Sequence, residues 1–215
     1  MVIGYWLGDS VLIRLNGQLV KVTLGLTIIK ALESAGVVLM RYCYNERLRI
    51  SGNCRSCLVE IRGQSKVGLG CVEFVKEGME LFVDSVSVNK RKEGVLEFLL
   101  RNHPLDCPVC DQGGECDLQD GSAFVGSGKG RVFEDYRREV VRRGFSVNVV
   151  DFMRRCVLCS RCVRYDSRGD VKLSLGVIGR SEISGVSCYS VGFGGVLGSA
   201  LVGNVIDLCP VGFLR

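Results

Sequence analysis

The sequence predicts an α+β chain of three small modules rather than one large core. Three observations carry this. A hairpin, a short helix and further strands fill the first 86 residues. The apolar period becomes helical from Ser87. Eleven of the twelve cysteines fall into three groups along 215 residues.

Val11–Leu15 and Gln18–Val22 alternate as strands around Asn16-Gly17, the dipeptide that suits a two-residue type I′ turn. A helix is expected from an N-cap at Thr27 through Ile28, Ala31 and Leu32, ending at Gly36. Cys57–Ile61 and Glu80–Val83 read as strands. Hairpin, helix, cysteine-rich loop and later strands is the order of a β-grasp ferredoxin-like domain, placed at residues 1–86. From Ser87, Val88, Val95, Leu96, Leu99 and Leu100 share one helical face, with Lys90 to Glu93 mostly elsewhere. That helix delivers His103-Pro104 and a compact cysteine loop, a module placed at 87–126. Gly121 to Gly130 reads as the linker. The third module, 127–215, opens on the charged stretch Glu134 to Arg143. It continues through a helix expected to hold Cys156 to Cys162 and closes on Cys209-Pro210.

Composition removes several function classes. The chain is 47% hydrophobic and 24% charged, which is globular. The opening MVIGYWLGDS lacks a basic n-region and an apolar h-region, and it is not an Arg- and Ser-rich transit peptide. The most apolar stretch, Val196 to Leu208, is broken by glycines, Asn204 and Asp207, so no membrane span is expected. Cysteines in a chain without an export signal suggest metal rather than disulfides. The net charge of +5 has no aromatic-interleaved basic stripe to go with it, which argues against nucleic acid. Gly192-Phe-Gly194 and Gly128-Lys129 lack the partners of a dinucleotide fingerprint or a P-loop.

The first cysteine group is Cys43, Cys54, Cys57 and Cys71. A C-x2-C pair on a tight loop aims two thiolates at one centre, and Gly52 and Asn53 permit the turns. The spacing leaves zinc open, while the ferredoxin-like context favours iron and sulfide. The second group is His103, Cys107, Cys110 and Cys116. Structural zinc also uses three thiolates and an imidazole, so zinc stays open here too. However, the chain's one histidine stands four residues before a cysteine triplet, and Gly113-Gly114 allow a close wrap. The third group is Cys156, Cys159 and Cys162 with the remote Cys209. C-x2-C-x2-C with a distant Cys-Pro is a strong signal for a [4Fe–4S] cluster. Eleven cysteines and one histidine make three sets of four, leaving Cys188 as a small buried thiol in a strand from Val186 to Val191. Three such clusters would carry a charge of about −5, offsetting the chain's own. Arg41, Arg47, Arg49 and Arg55 near the first group, and Arg154, Arg155, Arg161 and Arg164 near the last, are placed for that balance. Modules this small cannot rely on apolar burial alone, so the chain without clusters is expected to be largely unfolded.

Cys43-Tyr-Asn-Glu-Arg47, Gly52–Ile61, Glu93–Leu100, His103–Asp120, Arg155–Arg164 and Asn204–Gly212 together resemble the N-terminal part of the large iron–sulfur subunit of respiratory complex I. The resemblance implies one [2Fe–2S] cluster on the first group and [4Fe–4S] clusters on the second and third. It further implies a subunit of a proton-translocating NADH:ubiquinone oxidoreductase that passes electrons from flavin towards quinone, with no complete active site of its own. The implied partners are the flavin/NADH-binding subunit and the downstream iron–sulfur subunit. The implied place is the matrix side of the mitochondrial inner membrane, peripherally bound, or the cytoplasmic face of a bacterial membrane. Family members usually continue into a large molybdopterin-enzyme-like domain, whereas this sequence stops six residues past Cys209. The expectation is a split subunit whose remainder is a separate chain or lost, organelle-encoded in a protist or alga. Two other functions compete: the electron-input subunit of an NAD-linked hydrogenase or formate dehydrogenase, and a zinc-stapled scaffold.

Overall fold

The computed structural model describes residues 10–126, 149–166, 175–189 and 202–215. Two compact units emerge: residues 1–41 with 55–95, and 42–54 with 96–215.

In the first unit, β1 (Ser10–Leu15) and β2 (Gln18–Thr23) pair antiparallel, with Leu15 opposite Gln18. Asn16 and Gly17 take φ of 46° and 89°, the positive pair that a type I′ turn demands and that matches the strand twist. The side chain of Asn16 also ties the turn to the sheet, since its Oδ1 accepts the Val83 N–H at 3.1 Å. The helix α1 (Ile28–Ser34) follows as expected, and Gly36 beyond it sits at φ 81°. Thr27 stands at the N-cap without a side-chain cap bond; its carbonyl accepts from Ala31 instead, and its backbone bridges to Phe74. Then come β3 (Leu58–Ile61), β4 (Gly68–Leu69) and β5 (Glu80–Phe82). The five-stranded sheet has the order β2-β1-β5-β3-β4, with β1 and β5 parallel and the other neighbours antiparallel. Ile13, Val59 and Leu81 from the sheet and Ile28, Ile29 and Leu32 from α1 are fully buried. This is the mixed sheet and helix expected of the ferredoxin-like module.

The next helix, α2 (Val86–Asn102), is longer than its apolar stripe suggested. Val88 and Leu96 are buried as expected, but Lys92 lies between them at 4% exposure. Positions 88, 92 and 96 fall on one helical face. The Lys92 stem fills the stripe, and its Nζ donates to the Val83 carbonyl at 2.8 Å. The expectation that Lys92 points elsewhere is thus corrected: a long aliphatic stem with a carbonyl to reach can sit where a leucine would.

In the second unit, α3 (Asp117–Val125) takes up the first half of the expected linker, with Gly121 buried in it. A close-packed glycine inside a helix gives the same local signal as a turn glycine. A 3₁₀ turn at Met153–Arg155 leads to an irregular loop and then α4 (Arg161–Asp166). The helix expected across Cys156 to Cys162 is therefore wrong for all but its last turn. Leu158 and Ser160 take φ of 53° and 60°, which no right-handed helix contains. An antiparallel pair, β6 (Leu175–Ile178) and β7 (Gly185–Cys188), and α5 (Asn204–Leu208) complete the unit. Cys188 ends β7 only half-buried, so it is less enclosed than expected. The chain's last residues seat against 150–152, with Val150 and Arg215 exchanging both backbone bonds. Leu96, Leu118, Met153, Val205, Phe213 and Leu214 are buried in the core. The stretches Glu134 to Arg143, Gly128-Lys129 and Gly192 to Gly194 lie outside the described residues, as does Val191.

Candidate metal centres

The third cysteine group converges most completely. Cys156, Cys159, Cys162 and Cys209 line one cavity, together with Val186 and Phe213. The left-handed residues Leu158 and Ser160 explain how five residues between Cys156 and Cys162 wrap three thiols round one space. Burial, and after it the charge of neighbouring cysteines, pushes the Cys162 thiol up to about 12. Burial likewise pushes Cys159 up to about 11, against the opposing pull of the Arg161 N–H and of the Arg161 and Arg164 charges. Cys156 and Cys209 are raised by burial as well, while the N–H groups of Leu158 and of Val211, Leu214 and Phe213 work the other way. The Leu158 N–H stands 3.4 Å from Cys156 Sγ. Four thiols in an apolar cage thus oppose one another's ionisation, and backbone donors already point at their sulfurs. A positively charged core bearing several metal ions is what such a donor set accommodates.

The second group also surrounds a single cavity. His103, Cys107, Cys110 and Cys116 line it together with Arg155 and Gly212. The histidine follows directly on the end of α2, and Cys116 directly precedes α3. Between them Cys107–Val109 forms a 3₁₀ turn, and Gly114 at φ 87° lets the loop come back. Gly212 marks the tightest point. A Cβ there would run into Cys110 Sγ and stand 3.2 Å from Gln112 Cβ. No sequence spacing pointed to Gly212. Among the described residues no group of three or more His, Cys, Asp or Glu is arranged to hold a lone metal ion.

One stretch of chain contributes to both cavities: Cys209, Val211 and Phe213 line the third group's, and Gly212 lines the second's. The Pro210 carbonyl, one residue beyond Cys209, accepts from the Asp117 N–H at 3.2 Å and lies 3.8 Å from Cys116 Sγ. Arginines placed by sequence near the third group prove to pair with acids beside the second. Arg155 and Arg154 both reach Asp106 Oδ2, and Arg161 reaches Asp117 at 3.5 Å. Asp106 immediately precedes Cys107 and Asp117 immediately follows Cys116, a local signal that could have found them beside the resemblance of the stretch His103–Asp120.

The first group's cysteines are placed as follows. In the first unit, Cys57 abuts β3, and its carbonyl accepts the Gly70 N–H at 2.8 Å beside Cys71; both cysteines are buried. In the second unit, residues 42–54 carry Cys43, buried, and Cys54, half-buried. Tyr42 beside Cys43 is fully buried, and its Oη has no hydrogen-bond partner among the described residues. Burial raises its pKa, reinforced by the charges of Cys54, Asp117 and Cys116.

Comparisons with known proteins meet this geometry. Residues 8–85 match the 2Fe-2S iron-sulfur cluster binding domain, 92–131 the NADH-ubiquinone oxidoreductase-G iron-sulfur binding region, and 149–215 the NADH-quinone oxidoreductase subunit 3 ferredoxin-like domain. The chain is 47% identical over 199 residues to the NADH-ubiquinone oxidoreductase 75 kDa subunit of Reclinomonas americana, covering 93% of this chain and 28% of that protein. It is 45% identical over 206 residues to the NADH dehydrogenase [ubiquinone] iron-sulfur protein 1 of Solanum tuberosum, covering 96% and 27%. With an NADH-quinone oxidoreductase subunit of the bacterium Rickettsia bellii it shares 41% over 203 residues, covering 94% and 29%. The chain therefore spans little more than a quarter of the length of these relatives. In fold it is similar to a chain of an NAD+-reducing [NiFe]-hydrogenase, with a TM-score of 0.84 at 24% identity, over 96% of this chain and 87% of that one.

Proposed function

We propose that this chain, which is homologous to the N-terminal iron–sulfur region of the 75/78 kDa subunit of NADH-ubiquinone oxidoreductase, relays single electrons from a flavin-bearing partner towards quinone. The observation that carries this is the cage of Cys156, Cys159, Cys162 and Cys209 around one cavity, with Gly212, between its lining residues Val211 and Phe213, lining the His103 cage. Such cages hold inorganic cores that take up and release one electron at a time without other bonds being made or broken. Cys43, Cys54, Cys57 and Cys71 would hold a [2Fe–2S] cluster. His103, Cys107, Cys110 and Cys116 would hold a [4Fe–4S] cluster, and the third set another.

What the chain's own residues do is hold, insulate and tune. Val186, Val211 and Phe213 close the third cavity with apolar surface. The N–H groups aimed at Cys156 and Cys209 stabilise added negative charge on the sulfurs and so raise the tendency to accept an electron. Arg155 and Arg161 keep cations beside two cages that gain negative charge on reduction.

The proposal extends to the setting. The chain would work within the proton-translocating complex beside its flavin/NADH-binding subunit and downstream iron–sulfur subunit. It would lie peripherally on the matrix side of the mitochondrial inner membrane, or on the corresponding bacterial face. No helix among the described residues is long and apolar enough to cross a membrane.

Iron, zinc and acid-labile sulfide in the anaerobically purified chain test the proposal. Iron and sulfide in near-equal amounts, with electron paramagnetic resonance signals appearing on reduction, are expected. Zinc without sulfide would replace electron transfer with a structural staple.

A further inference from the structure

Arg164, on α4 just beyond Cys162, gathers acceptors from two stretches of chain. Nη2 donates to the carbonyl of Cys43 and, at 3.3 Å, to that of Cys159. Nη1 donates to the carbonyl of Arg49, and Nε to Ser160 Oγ at 3.2 Å. Beside it, Asn53 Nδ2 donates to the Leu158 carbonyl at 3.0 Å. Thus the stretch 42–54, which carries two thiols of the first group, is bonded to the loop that carries three thiols of the third. Two of the acceptors are the backbones of candidate ligand cysteines from different groups.

A cation placed so does more than staple. Its charge lies within one residue's backbone of a ligand in each group, so it lowers the energy of an added electron on either side. Only a planar fork can serve the three carbonyls and the serine at once; a lysine ammonium supplies the charge but not that geometry. We infer that Arg164 is a positioning residue that sets the reduction potentials of the first and third centres together, through its bonds to the Cys43 and Cys159 carbonyls. The inference rests on the proposed clusters. These bonds all run to stretches that carry the first and third groups, so the His103 centre serves as the internal control.

The test is a redox titration, followed by electron paramagnetic resonance, of the cluster-loaded chain and of Arg164→Lys and Arg164→Met. Iron and sulfide are measured on each sample first. With full iron and sulfide, Arg164→Met is expected to weaken electron uptake at the first and third centres about tenfold each, a fall of about 59 mV, and to leave the His103 centre unmoved. Arg164→Lys should lie between, recovering charge without the fork. Unchanged potentials at full occupancy would overturn the inference. So would equal shifts at all three centres, which report a general change of field. If Arg164→Met loses its clusters, Arg164→Lys decides: full loading with native potentials overturns the inference, and a shift confined to the two centres sustains it. A parent chain without sulfide fails differently, since it removes the clusters themselves.

Discussion

Asp106 Oδ2 receives the buried Arg155 through Nη2 at 3.1 Å and Nε at 3.2 Å, joining positions that the sequence separates by 49 residues. Arg155 is 5% exposed, lies over the Phe152 ring at 4.4 Å, and reaches the Gly212 carbonyl at 3.5 Å. A guanidinium so enclosed depends on its carboxylate. Asp106→Ala should destabilise the chain by about 3 kcal/mol, because it strands a buried cation rather than merely deleting a pair. The exposed Arg154, which shares the same oxygen, contributes little of this. Chemical denaturation of the two single variants measures it, and equal small effects from Asp106→Ala and Arg154→Ala would refute it.

Gly212→Ala places a methyl group against Cys110 Sγ, within the cage of the second group. The neighbour that must give way is a candidate ligand. Loss of the His103 centre's resonance signal is expected, with the Cys156 centre retained. A fully loaded Gly212→Ala chain would show that Cys110 can ligate from elsewhere.

Lys92 brings a pH dependence. Burial lowers its pKa from the usual 10.5, against the opposing charges of Asp84 and Cys57. The folded chain therefore binds this proton less tightly than the unfolded chain does. Below the depressed value the cost of burying the ammonium is fully present; stability then rises as pH climbs towards 10.5. Lys92→Met should flatten that rise. Denaturation midpoints measured across this alkaline range, compared between the two proteins, check it; parallel slopes would count against it.

Cys188 is the one cysteine outside the three sets. Half-buried at the end of β7, it should tolerate Cys188→Ala at a cost of about 1 kcal/mol or less, with iron and sulfide unchanged. A fall in iron would make it a ligand. Every other cysteine replaced by alanine should lower the iron content.

Removing the clusters with a chelator under reducing conditions should abolish most of the second unit's circular dichroism. Its cages hold opposed thiols, and its helices α4 and α5 are only 6 and 5 residues long, too short to persist by themselves. Retention of native helicity in the stripped chain would mean that apolar packing suffices.

The residues that announced themselves were those whose chemistry is local. Asn16-Gly17 specifies its turn through two positive φ values, and C-x2-C-x2-C specifies a cage through spacing alone. What stayed hidden was set by distant partners. Lys92 is buried because a carbonyl nine residues back can take its ammonium. Cys156 to Ser160 is a loop rather than a helix because three thiols must face one cavity, a demand that outweighs the helical propensity of the residues between them. Gly121 reads as a linker until its helix is seen. Asp106, Asp117 and Gly212 lie in stretches that carry the family resemblance, but nothing in the sequence names their partners, which lie in another part of the chain.

The seating of residues 213–215 against 150–152, close in sequence to Cys209, has a consequence for biosynthesis. A ribosome delivers Cys156, Cys159 and Cys162 long before it delivers the fourth thiol and the strand-like tail that backs it. For that interval the emerging chain carries three of the four thiols of this set without the segment that backs them. A cluster on this set would be expected to fill only once the stretch through 213–215 is made, and the 43–71 set likewise lacks the bond from Arg164 to the Cys43 carbonyl until α4 is made.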